Sequence, residues 1–362
     1  MTFSPFRHLD SILWKRKPIQ FTFFLTRRCN AKCPFCFYTS KQNAVASAPP
    51  ELSIDEIERI APQLGKLLWL AFSGGEIFLR SDLVEITKIF YKTNKPAIIL
   101  LPTNGLLQDT IYTSVETILR ACPNSSIVVK LSLDGPEPVH DELRGVPGSF
   151  QKTLKTCSAL GKLVDKYANF ELGINTVFCQ ANQDLVGEVM DLAQTLPHVK
   201  THTVSLIRGE VSRDDLKQVD MEKYKKIIDR LESDLKKRLA AVYGFRGAKL
   251  KAAQDILQRR KIYEAALHNQ RSSPCYAGKL NLVLTETGDL YPCEDFSEKM
   301  KFGNVRDTEY NLQRLLESAQ GRNIQQFIAD KGCCCTHECY FMTNILFNPG
   351  YYPALLKEYL QL

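Results

Sequence analysis

The chain has 362 residues, of which 44% are hydrophobic and 24% are charged, and this balance is typical of a globular protein with a sizeable core. Its longest apolar runs, such as LLWLAF at 67–72, have strand length and fall far below the roughly 20 residues of a membrane-spanning helix, so we expect no membrane span. The net charge of +7 is spread along the chain as on solvated helix surfaces, which leaves attraction to an acidic peptide, a phosphate-bearing substrate or an anionic membrane open.

The N-terminal segment mixes charged residues with short apolar pieces. It lacks the continuous apolar core and the cleavage site of a secretory signal, which favours a cytoplasmic protein. The twelve cysteines are then better suited to metal binding than to disulfides, because the cytoplasm keeps thiols reduced.

Short β-rich runs alternate with amphipathic helical stretches over the first two thirds of the chain. Ser53, with Glu56 three residues on, and Ser81 each predict the N-cap of such a helix. Strands separated by helices indicate a parallel sheet with right-handed crossovers. Six units, instead of the eight of a closed TIM barrel, predict an α/β fold with a partial (β/α)6 barrel, whose strands we place at 19–25, 67–75, 97–105, 127–135, 170–178 and 199–207.

The segment 211–270 changes character and combines helical periodicity with dense charge. We interpret it as two or more helices that link the barrel to the C-terminal part of the chain. A membrane-surface helix is the alternative, but the polar face carries both signs. We expect no nucleic-acid partner, because the basic residues form no compact patch.

Six of the twelve cysteines lie after residue 270, which indicates a second module. The aromatic and apolar tail that ends the chain either packs back onto the barrel or lines a site for a hydrophobic substrate. The predicted organisation is therefore an N-terminal extension at 1–18, a barrel at 19–210, a helical linker at 211–270, a small α+β module at 271–345 and a tail at 346–362.

Cys29, Cys33 and Cys36 lie in the sequence CNAKCPFC, directly after the first predicted strand, with Phe35 before the last thiol. Thiolates are soft ligands for zinc and for iron–sulfur clusters. A structural zinc site closes with four protein ligands, and here the fourth is missing locally. A [4Fe–4S] cluster held by three cysteines leaves one iron open for a small molecule, so we favour such a cluster over a zinc or redox site.

In this spacing and position the sequence resembles the radical S-adenosylmethionine (SAM) superfamily, whose signature is Cys-x3-Cys-x2-Cys with an aromatic before the third cysteine. The resemblance implies that the open iron binds the amino and carboxylate groups of SAM, with Phe35 beside the cofactor. Reductive cleavage of SAM then yields a 5′-deoxyadenosyl radical that abstracts hydrogen from the substrate. An electron donor such as flavodoxin or ferredoxin is implied as a partner.

Further strand ends resemble the cofactor-binding positions of that family. Gly74, Gly75 and Glu76 match its GGE motif, which implies that the carboxylate receives the SAM ammonium group while the glycines let the main chain approach a ligand. Ser132 and Arg144 match residues that contact the cofactor carboxylate or ribose. Asn-Gly and Asp-Gly pairs also occur in ordinary turns. The remaining candidates are Asn104 and Asn175 for the cofactor and Asp134 for the substrate.

The C-terminal cysteines form a second group. Cys275 and Cys293 bracket a predicted hairpin in a Cys-x12-Gly-x4-Cys pattern, and a hairpin brings its two ends together. This resembles the SPASM and Twitch auxiliary modules of radical SAM enzymes. The chain lacks the Cys-x2-Cys of a full SPASM module, so we expect one auxiliary [4Fe–4S] cluster. The resemblance implies Cys275, Cys293 and Cys339 as ligands, with Cys335 as the fourth and Cys333, Cys334 or His337 as substitutes.

The function predicted from these features is oxidative modification of a peptide or protein by a radical SAM enzyme. Dehydrogenation or rearrangement of a small molecule, such as a sugar, an alcohol or a lipid-linked precursor, is the alternative. A non-catalytic iron–sulfur protein for electron transfer or sensing is a hypothesis of another class, and an open cluster followed by a GGE strand argues against it. We expect the auxiliary module to cap the barrel opening and exclude water from the radical.

Overall fold

The structure is a computed structural model that describes residues 5–15, 17–38, 49–271 and 273–362. Within those ranges the strands are β1 (Gln20–Thr26), β2 (Trp69–Gly74), β3 (Ile98–Thr103), β4 (Ser126–Ser132), β5 (Phe170–Phe178), β6 (Val199–Leu206), β7 (Asn281–Leu284), β8 (Asp289–Tyr291) and β9 (Gly303–Asn304). The α-helices are α1 (Leu9–Trp14), α2 (Ile54–Ile60), α3 (Leu83–Asn94), α4 (Gln108–Ala121), α5 (Glu137–Arg144), α6 (Ser149–Lys166), α7 (Val186–Thr195), α8 (Met221–Lys236), α9 (Ala248–His268), α10 (Leu312–Leu316), α11 (Ala319–Ala329), α12 (Glu338–Leu346) and α13 (Tyr352–Gln361).

The strands form one sheet in the order β6-β5-β4-β3-β2-β1-β7-β8-β9. All pairs from β1 to β6 are parallel, which confirms the predicted partial barrel. The predicted C-terminal hairpin is also confirmed, since β7 and β8 pair antiparallel. Beyond the prediction, β7 pairs in parallel with β1, with Gln20 opposite Asn281. The C-terminal module thus continues the barrel sheet and covers an edge of β1 that would otherwise be open.

Side chains on the barrel strands alternate between an outer layer under the helices and an interior layer. Phe21 and Phe23 of β1 lie on the outer side, where their rings are 5.7 and 6.2 Å from that of Phe90 on α3. Trp69 and Val128 belong to a different apolar cluster that includes Met342 of α12. Helix α12 therefore packs against the second face of the sheet, and this contact joins the end of the chain to the barrel.

Helix starts follow the sequence in one case and depart from it in another. Ser53 and Glu56 form the predicted capping box of α2, in which each side chain bonds the other's backbone N–H. The prediction of Ser81 as an N-cap is wrong, because α3 begins after Asp82. The Asp82 carboxylate does not cap the helix either, since it binds the buried Arg80 guanidinium at 2.7 Å.

Two helices, α8 and α9, occupy the segment where the sequence predicts two or more helices. An ion-pair network joins them to the tail: Arg260 of α9 contacts Glu358 of α13 at 2.8 Å, and Lys236 of α8 contacts the same carboxylate at 2.9 Å. Leu355 of α13 is buried in the same apolar cluster as Phe178 of β5. The tail packs back onto the linker helices and the barrel. No helix in the described ranges is both long and apolar enough to cross a membrane.

Candidate active site

A cavity of about 190 Å³ opens at the carboxyl ends of the barrel strands. Each strand from β1 to β4 delivers polar or thiol groups to it through the loop after the strand, as parallel strands do in TIM-type barrels. The loop after β1 contributes the thiols, the segments after β2 and β3 contribute a carboxylate and an amide, and the last residue of β4 contributes a hydroxyl. The predicted residues that line this cavity are Cys29, Cys33, Phe35, Cys36, Gly74, Gly75, Glu76, Asn104, Ser132 and Arg144.

The three thiols lie on a short, internally bonded loop. The N–H of Cys36 donates to the Cys33 carbonyl at 3.2 Å, and the N–H of Ala31 donates to Cys29 Sγ at 3.5 Å. Burial raises the pKa of the Cys33 thiol to about 11, although the Arg144 guanidinium, 3.7 Å from Cys33 Sγ, opposes the rise. Burial therefore favours the neutral thiols, and the thiolate form that binds iron needs a positive charge beside it, such as the Arg144 guanidinium.

No three Cys, His, Asp or Glu side chains in the described parts of the chain converge on a point where one metal ion could bind. A polynuclear cluster has no such requirement, because each thiolate binds a different iron atom. Three thiols around one cavity, with no fourth cysteine and no histidine among its described lining residues, fit a [4Fe–4S] cluster with an open iron.

Glu76 is the carboxylate of this cavity, and only 1% of its surface is exposed. Its Oε1 accepts from the Thr103 hydroxyl at 2.9 Å and its Oε2 accepts from the Asn104 N–H at 2.8 Å. Burial raises the pKa of Glu76 to about 7, and these hydrogen bonds oppose the rise. Such a carboxylate is held rigidly, is poorly solvated and is well suited to pair with a bound cation.

Gly74 and Gly75 are required by close packing between two loops. The N–H of Gly75 donates to the Thr26 carbonyl at 2.7 Å, and the N–H of Glu76 donates to the Arg28 carbonyl at 2.9 Å. A Cβ at Gly74, whose φ is +126°, would overlap the Thr26 carbonyl, and one at Gly75 would overlap that of Arg28. The glycines thus hold the end of β2 against the thiol loop. Both also line the cavity, so their contact with a bound ligand stays a prediction.

Asp134, which the sequence predicts to face the substrate, is not among the described residues that line the thiol cavity. It is fully buried, its Oδ2 accepts from Arg144 Nε at 2.7 Å and its Oδ1 accepts from the Val177 N–H at 2.8 Å. The ion pair raises the pKa of the Arg144 guanidinium against the effect of burial. Asp134 therefore fixes Arg144, which in turn lies 3.7 Å from Cys33 Sγ and 5.4 Å from the centre of the Phe35 ring.

The two predicted asparagines have different positions. Asn104 lines the cavity, and its Nδ2 donates to Asn30 Oδ1 at 2.7 Å and approaches Cys29 Sγ at 3.9 Å. Asn175 of β5 is not among the described lining residues of the cavity. Its Oδ1 accepts from the Ser205 hydroxyl at 3.2 Å, so the structure ties it to the interior of the sheet between β5 and β6.

The C-terminal thiols converge beside the β7–β8 hairpin. Burial raises the pKa of Cys293, and Cys275 and Cys335 lie near enough to add to the rise, although Cys335 is itself exposed at the surface. Cys333 also lies near these thiols, since Cys275 adds to the rise of its pKa and Cys333 adds to that of Cys335. The predicted ligand Cys339 is partly buried, and the charged groups near it include Glu294 and Arg208.

Arg208, just after β6, is a cavity residue that the sequence did not predict. It lines the cavity with the three N-terminal thiols, and its guanidinium contacts Glu294 at 3.2 Å and Glu338 at 3.7 Å. The imidazole of His337, a proposed substitute ligand, lies 2.7 Å from the Glu294 carboxylate. A sequence signal existed for all three charged residues: Arg208 follows a barrel strand, and each glutamate adjoins a candidate cysteine ligand.

Comparison with known families agrees with this geometry. Residues 23–178 match the family model of the radical SAM superfamily, and residues 275–340 match SPASM, an iron–sulfur cluster-binding domain. The chain therefore belongs to the radical SAM superfamily and is an enzyme of that class. More particularly, it is a radical SAM enzyme with a C-terminal SPASM domain. Its cofactors are a [4Fe–4S] cluster and SAM, together with auxiliary iron–sulfur cluster binding in the SPASM domain.

Individual relatives fall into two groups by product. An AdoMet-dependent heme synthase of Methanosarcina barkeri (strain Fusaro / DSM 804) is 28% identical over 79% of this chain and 79% of its own length. The antilisterial bacteriocin subtilosin biosynthesis protein AlbA of Bacillus subtilis (strain 168) is 26% identical over 81% of this chain and 58% of its own. The solved structure of anSMEcpe with bound AdoMet has a TM-score of 0.61 at 20% identity, covering 95% of this chain and 96% of that one, and it shares the fold.

Proposed function

We propose that this enzyme removes two hydrogens from a peptide or protein substrate held between the thiol cavity of the barrel and the cysteines of the SPASM domain. The single observation that supports the oxidation is the position of Arg208. Its guanidinium lines the cavity of Cys29, Cys33 and Cys36, and it also contacts Glu294, the neighbour of Cys293. One side chain therefore connects the two cysteine groups.

We propose roles for the residues of the thiol cavity from their contacts. Cys29, Cys33 and Cys36 would hold the cluster, and Glu76 would pair with the ammonium group of SAM. Asp134 would hold Arg144 beside Cys33. When bound, the cluster and SAM together supply a 5′-deoxyadenosyl radical on reduction, with flavodoxin or ferredoxin as the proposed donor.

Two-electron oxidation requires a path for an electron and a proton after hydrogen abstraction. The substrate carbon gives one hydrogen atom to the deoxyadenosyl group, which becomes 5′-deoxyadenosine. Cys275, Cys293, Cys335 and Cys339 would hold an auxiliary iron–sulfur cluster, which would supply the acceptor for the second electron, and the second proton would pass to a carboxylate. The Glu294 side chain is hydrogen-bonded to Arg208 and lies 2.7 Å from the His337 imidazole, and we propose that it orients the substrate group that loses this proton.

Two relatives support different classes of substrate. The subtilosin biosynthesis protein supports a peptide, since it serves the biosynthesis of a bacteriocin. A second candidate is a small carboxylated molecule such as a tetrapyrrole. It is favoured by the heme synthase of Methanosarcina barkeri, which aligns over 79% of its own length, whereas the subtilosin protein aligns over 58%.

The test begins with anaerobic reconstitution, SAM and dithionite. We expect 5′-deoxyadenosine from the wild type and none from Cys33→Ala; formation of no deoxyadenosine by the wild type would leave the electron-transfer or sensor hypothesis. Candidate peptides encoded next to the gene are then incubated with the enzyme, and mass spectrometry should show a loss of two hydrogens. Deoxyadenosine formation that rises with a tetrapyrrole, and not with any peptide, would select the second candidate.

A matched pair of variants tests the contact of Arg208 with Glu294, which connects the two cysteine groups. Glu294→Gln should lower product formation at least tenfold more than deoxyadenosine formation, because Glu294 is not among the described residues that line the thiol cavity and the cavity remains intact. Glu298→Gln is the control, since this carboxylate lies in the same domain and is 85% exposed. Equal loss of both products in Glu294→Gln would contradict a role in the substrate step.

A further inference from the structure

A face of exposed apolar side chains lies at the end of the barrel opposite the thiol cavity. Three elements form it: helix α1, the start of α9 and the outer side of α13. Trp14 is 58% exposed and Leu360 is 73% exposed. We call this surface the docking face, and its apolar residues are Leu13, Trp14, Leu250, Tyr352, Leu356, Tyr359 and Leu360.

Contacts between neighbouring elements make the docking face continuous. The ammonium of Lys15, next to Trp14, lies 5.1 Å from the centre of the Tyr276 ring. Burial raises the pKa of the Tyr276 phenol, and Tyr352, at the start of α13, lies near enough to add to the rise. At the other end of α13, the ammonium of Lys249 lies 4.6 Å from the centre of the Tyr359 ring.

A large cavity opens beside this face. Its volume is about 680 Å³, and its walls include the apolar side chains of Trp69, Leu250, Met342 and Phe347. Trp69, Ile98 and Ser126, which begin β2, β3 and β4, also line it, whereas the ends of these strands reach the thiol cavity. Since β4 has seven residues, the two cavities are separated by about 20 Å.

The charge around the cavity and the face is strongly positive. Of the described residues that line the cavity, five are Lys or Arg and none is Asp or Glu: Arg7, Lys92, Lys95, Arg246 and Lys251. One of these, Lys251, is ion-paired with Asp255. Lys249 and Lys357 are exposed on α9 and α13. On α13, Glu358 is buried and paired with Arg260 and Lys236, and Asp10 is the exposed carboxylate of α1.

We propose that the docking face binds the surface of an anionic membrane and that the adjoining cavity takes up a lipid acyl chain. Exposed Trp, Tyr and Leu side chains bordered by Lys and Arg are the composition that binds at a lipid headgroup boundary. Basic residues near an anionic leaflet strengthen such binding about fivefold each. An apolar cavity of this volume with a cationic rim suits one hydrocarbon chain attached to an anionic head.

Membrane binding at this face fixes the orientation of the enzyme. The thiol cavity, at the other end of the strands, would face away from the bilayer and stay open to SAM and to the electron donor. The docking face is separate from the site of the proposed reaction, because none of its residues lines the thiol cavity.

Sedimentation with vesicles tests the docking face. The full-length protein is mixed with vesicles of phosphatidylcholine alone or with 30% phosphatidylglycerol added. We expect binding to the anionic vesicles that is at least tenfold tighter than to the neutral ones and that weakens with salt. Binding to neither vesicle at low salt would overturn the proposal, and so would displacement of the anionic vesicles by equimolar polyglutamate, which would indicate an acidic protein partner.

Matched variants locate the binding surface. Leu250→Asp should weaken vesicle binding at least fivefold, whereas Leu267→Asp should not change it, because Leu267 is similarly exposed on the same helix about 26 Å further along. Lys92→Glu with Arg246→Glu should have a similar effect to Leu250→Asp. Lys152→Glu with Lys155→Glu, on exposed positions of α6, is the charge control. Equal effects of test and control variants would overturn the proposal.

The two tryptophans of the chain report on the face and the cavity separately. Trp69→Phe leaves Trp14 as the probe of the face, and Trp14→Phe leaves Trp69 as the probe of the cavity wall. With brominated phosphatidylglycerol, we expect quenching of at least 30% in both variants. Quenching of neither tryptophan would refute the inference, and quenching of Trp14 alone would refute the uptake of an acyl chain.

Discussion

Glu76→Gln is expected to weaken the binding of SAM by about 10- to 100-fold. The carboxylate is buried at the end of β2 and held by Thr103 and Asn104, so it needs no rearrangement to receive an ammonium group. A hydrogen bond to a charged group contributes about 1.5–3 kcal/mol, and each 1.4 kcal/mol corresponds to a tenfold change in affinity. The amide keeps the shape of the side chain and removes its charge.

The pH dependence of SAM binding provides a second measure of the same group. Because burial raises the pKa of Glu76 to about 7, the side chain is largely neutral at pH 6 in the absence of SAM. The ammonium group binds the ionised form, so the affinity of the wild type should rise about tenfold per pH unit as the pH increases from 5.5 towards 7. In Glu76→Gln this slope should disappear.

Equilibrium dialysis of SAM against anaerobically reconstituted protein measures both effects, with iron content matched between samples. Thr103→Val is the control, because it removes one hydrogen bond to Glu76 and leaves the charge; its loss of affinity should stay below tenfold. If Glu76→Gln binds SAM as tightly as the wild type, or keeps the same slope with pH, the pairing of Glu76 with the ammonium group is refuted.

Four further outcomes are expected. Reconstituted protein should contain about eight irons per chain, and about four would exclude the auxiliary cluster. Cys293→Ala should contain about four irons and lose product formation more than deoxyadenosine formation. Arg208→Ala should lower product formation at least tenfold, because it leaves the buried Glu294 carboxylate unpaired, with a smaller effect on deoxyadenosine. Lys130→Met should remove a rise in stability between pH 7 and 10.5, because burial lowers the pKa of Lys130 to about 7 and the unfolded chain binds more protons in that range.

These four outcomes have separate measurements and controls. Iron assay and Mössbauer spectroscopy give the cluster content, and Cys157→Ala, a buried thiol outside both cysteine groups, should leave it unchanged. Chromatography of both products tests Arg208→Ala, and equal losses would mean that Arg208 only maintains the fold. Urea unfolding across the pH range tests Lys130→Met. If the free energy of unfolding changes with pH in the same way in the wild type and the variant, the lowered pKa of Lys130 is contradicted.

The same pKa of Glu76 predicts a stability effect in the cofactor-free protein. A carboxyl whose pKa is higher in the folded state stabilises the fold below pH 4.5, and this contribution is lost as the pH rises through 7. The loss amounts to about 3 kcal/mol. Urea unfolding at pH 5 and pH 8 should show it in the wild type and not in Glu76→Gln, and a dependence on pH that is identical in both proteins would refute it.

Local patterns in the sequence were sufficient for the parallel sheet, the hairpin and the positions of the thiols. The six strands of the barrel were predictable because each is a short β-rich run between helical stretches, and the hairpin because a turn sequence separates two such runs. Cys29, Cys33 and Cys36 were predictable as one group because eight residues of chain cannot separate them. Glu76 and Asn104 could be placed beside them, since parallel strands end at the same edge of a sheet.

Contacts between distant segments were decided only by the tertiary structure. The pairing of β7 with β1 joins segments far apart in the chain and depends on no local signal. Asp134 lies under Arg144 because the turn after β4 directs its carboxylate inward, and nothing in the pattern Asp-Gly distinguishes that from exposure. Arg208, Glu294 and Glu338 meet because the ends of β6 and β8 and the start of α12 lie at one place. A residue's type and neighbours set the chemistry it can perform, whereas its partners depend on how the whole chain packs.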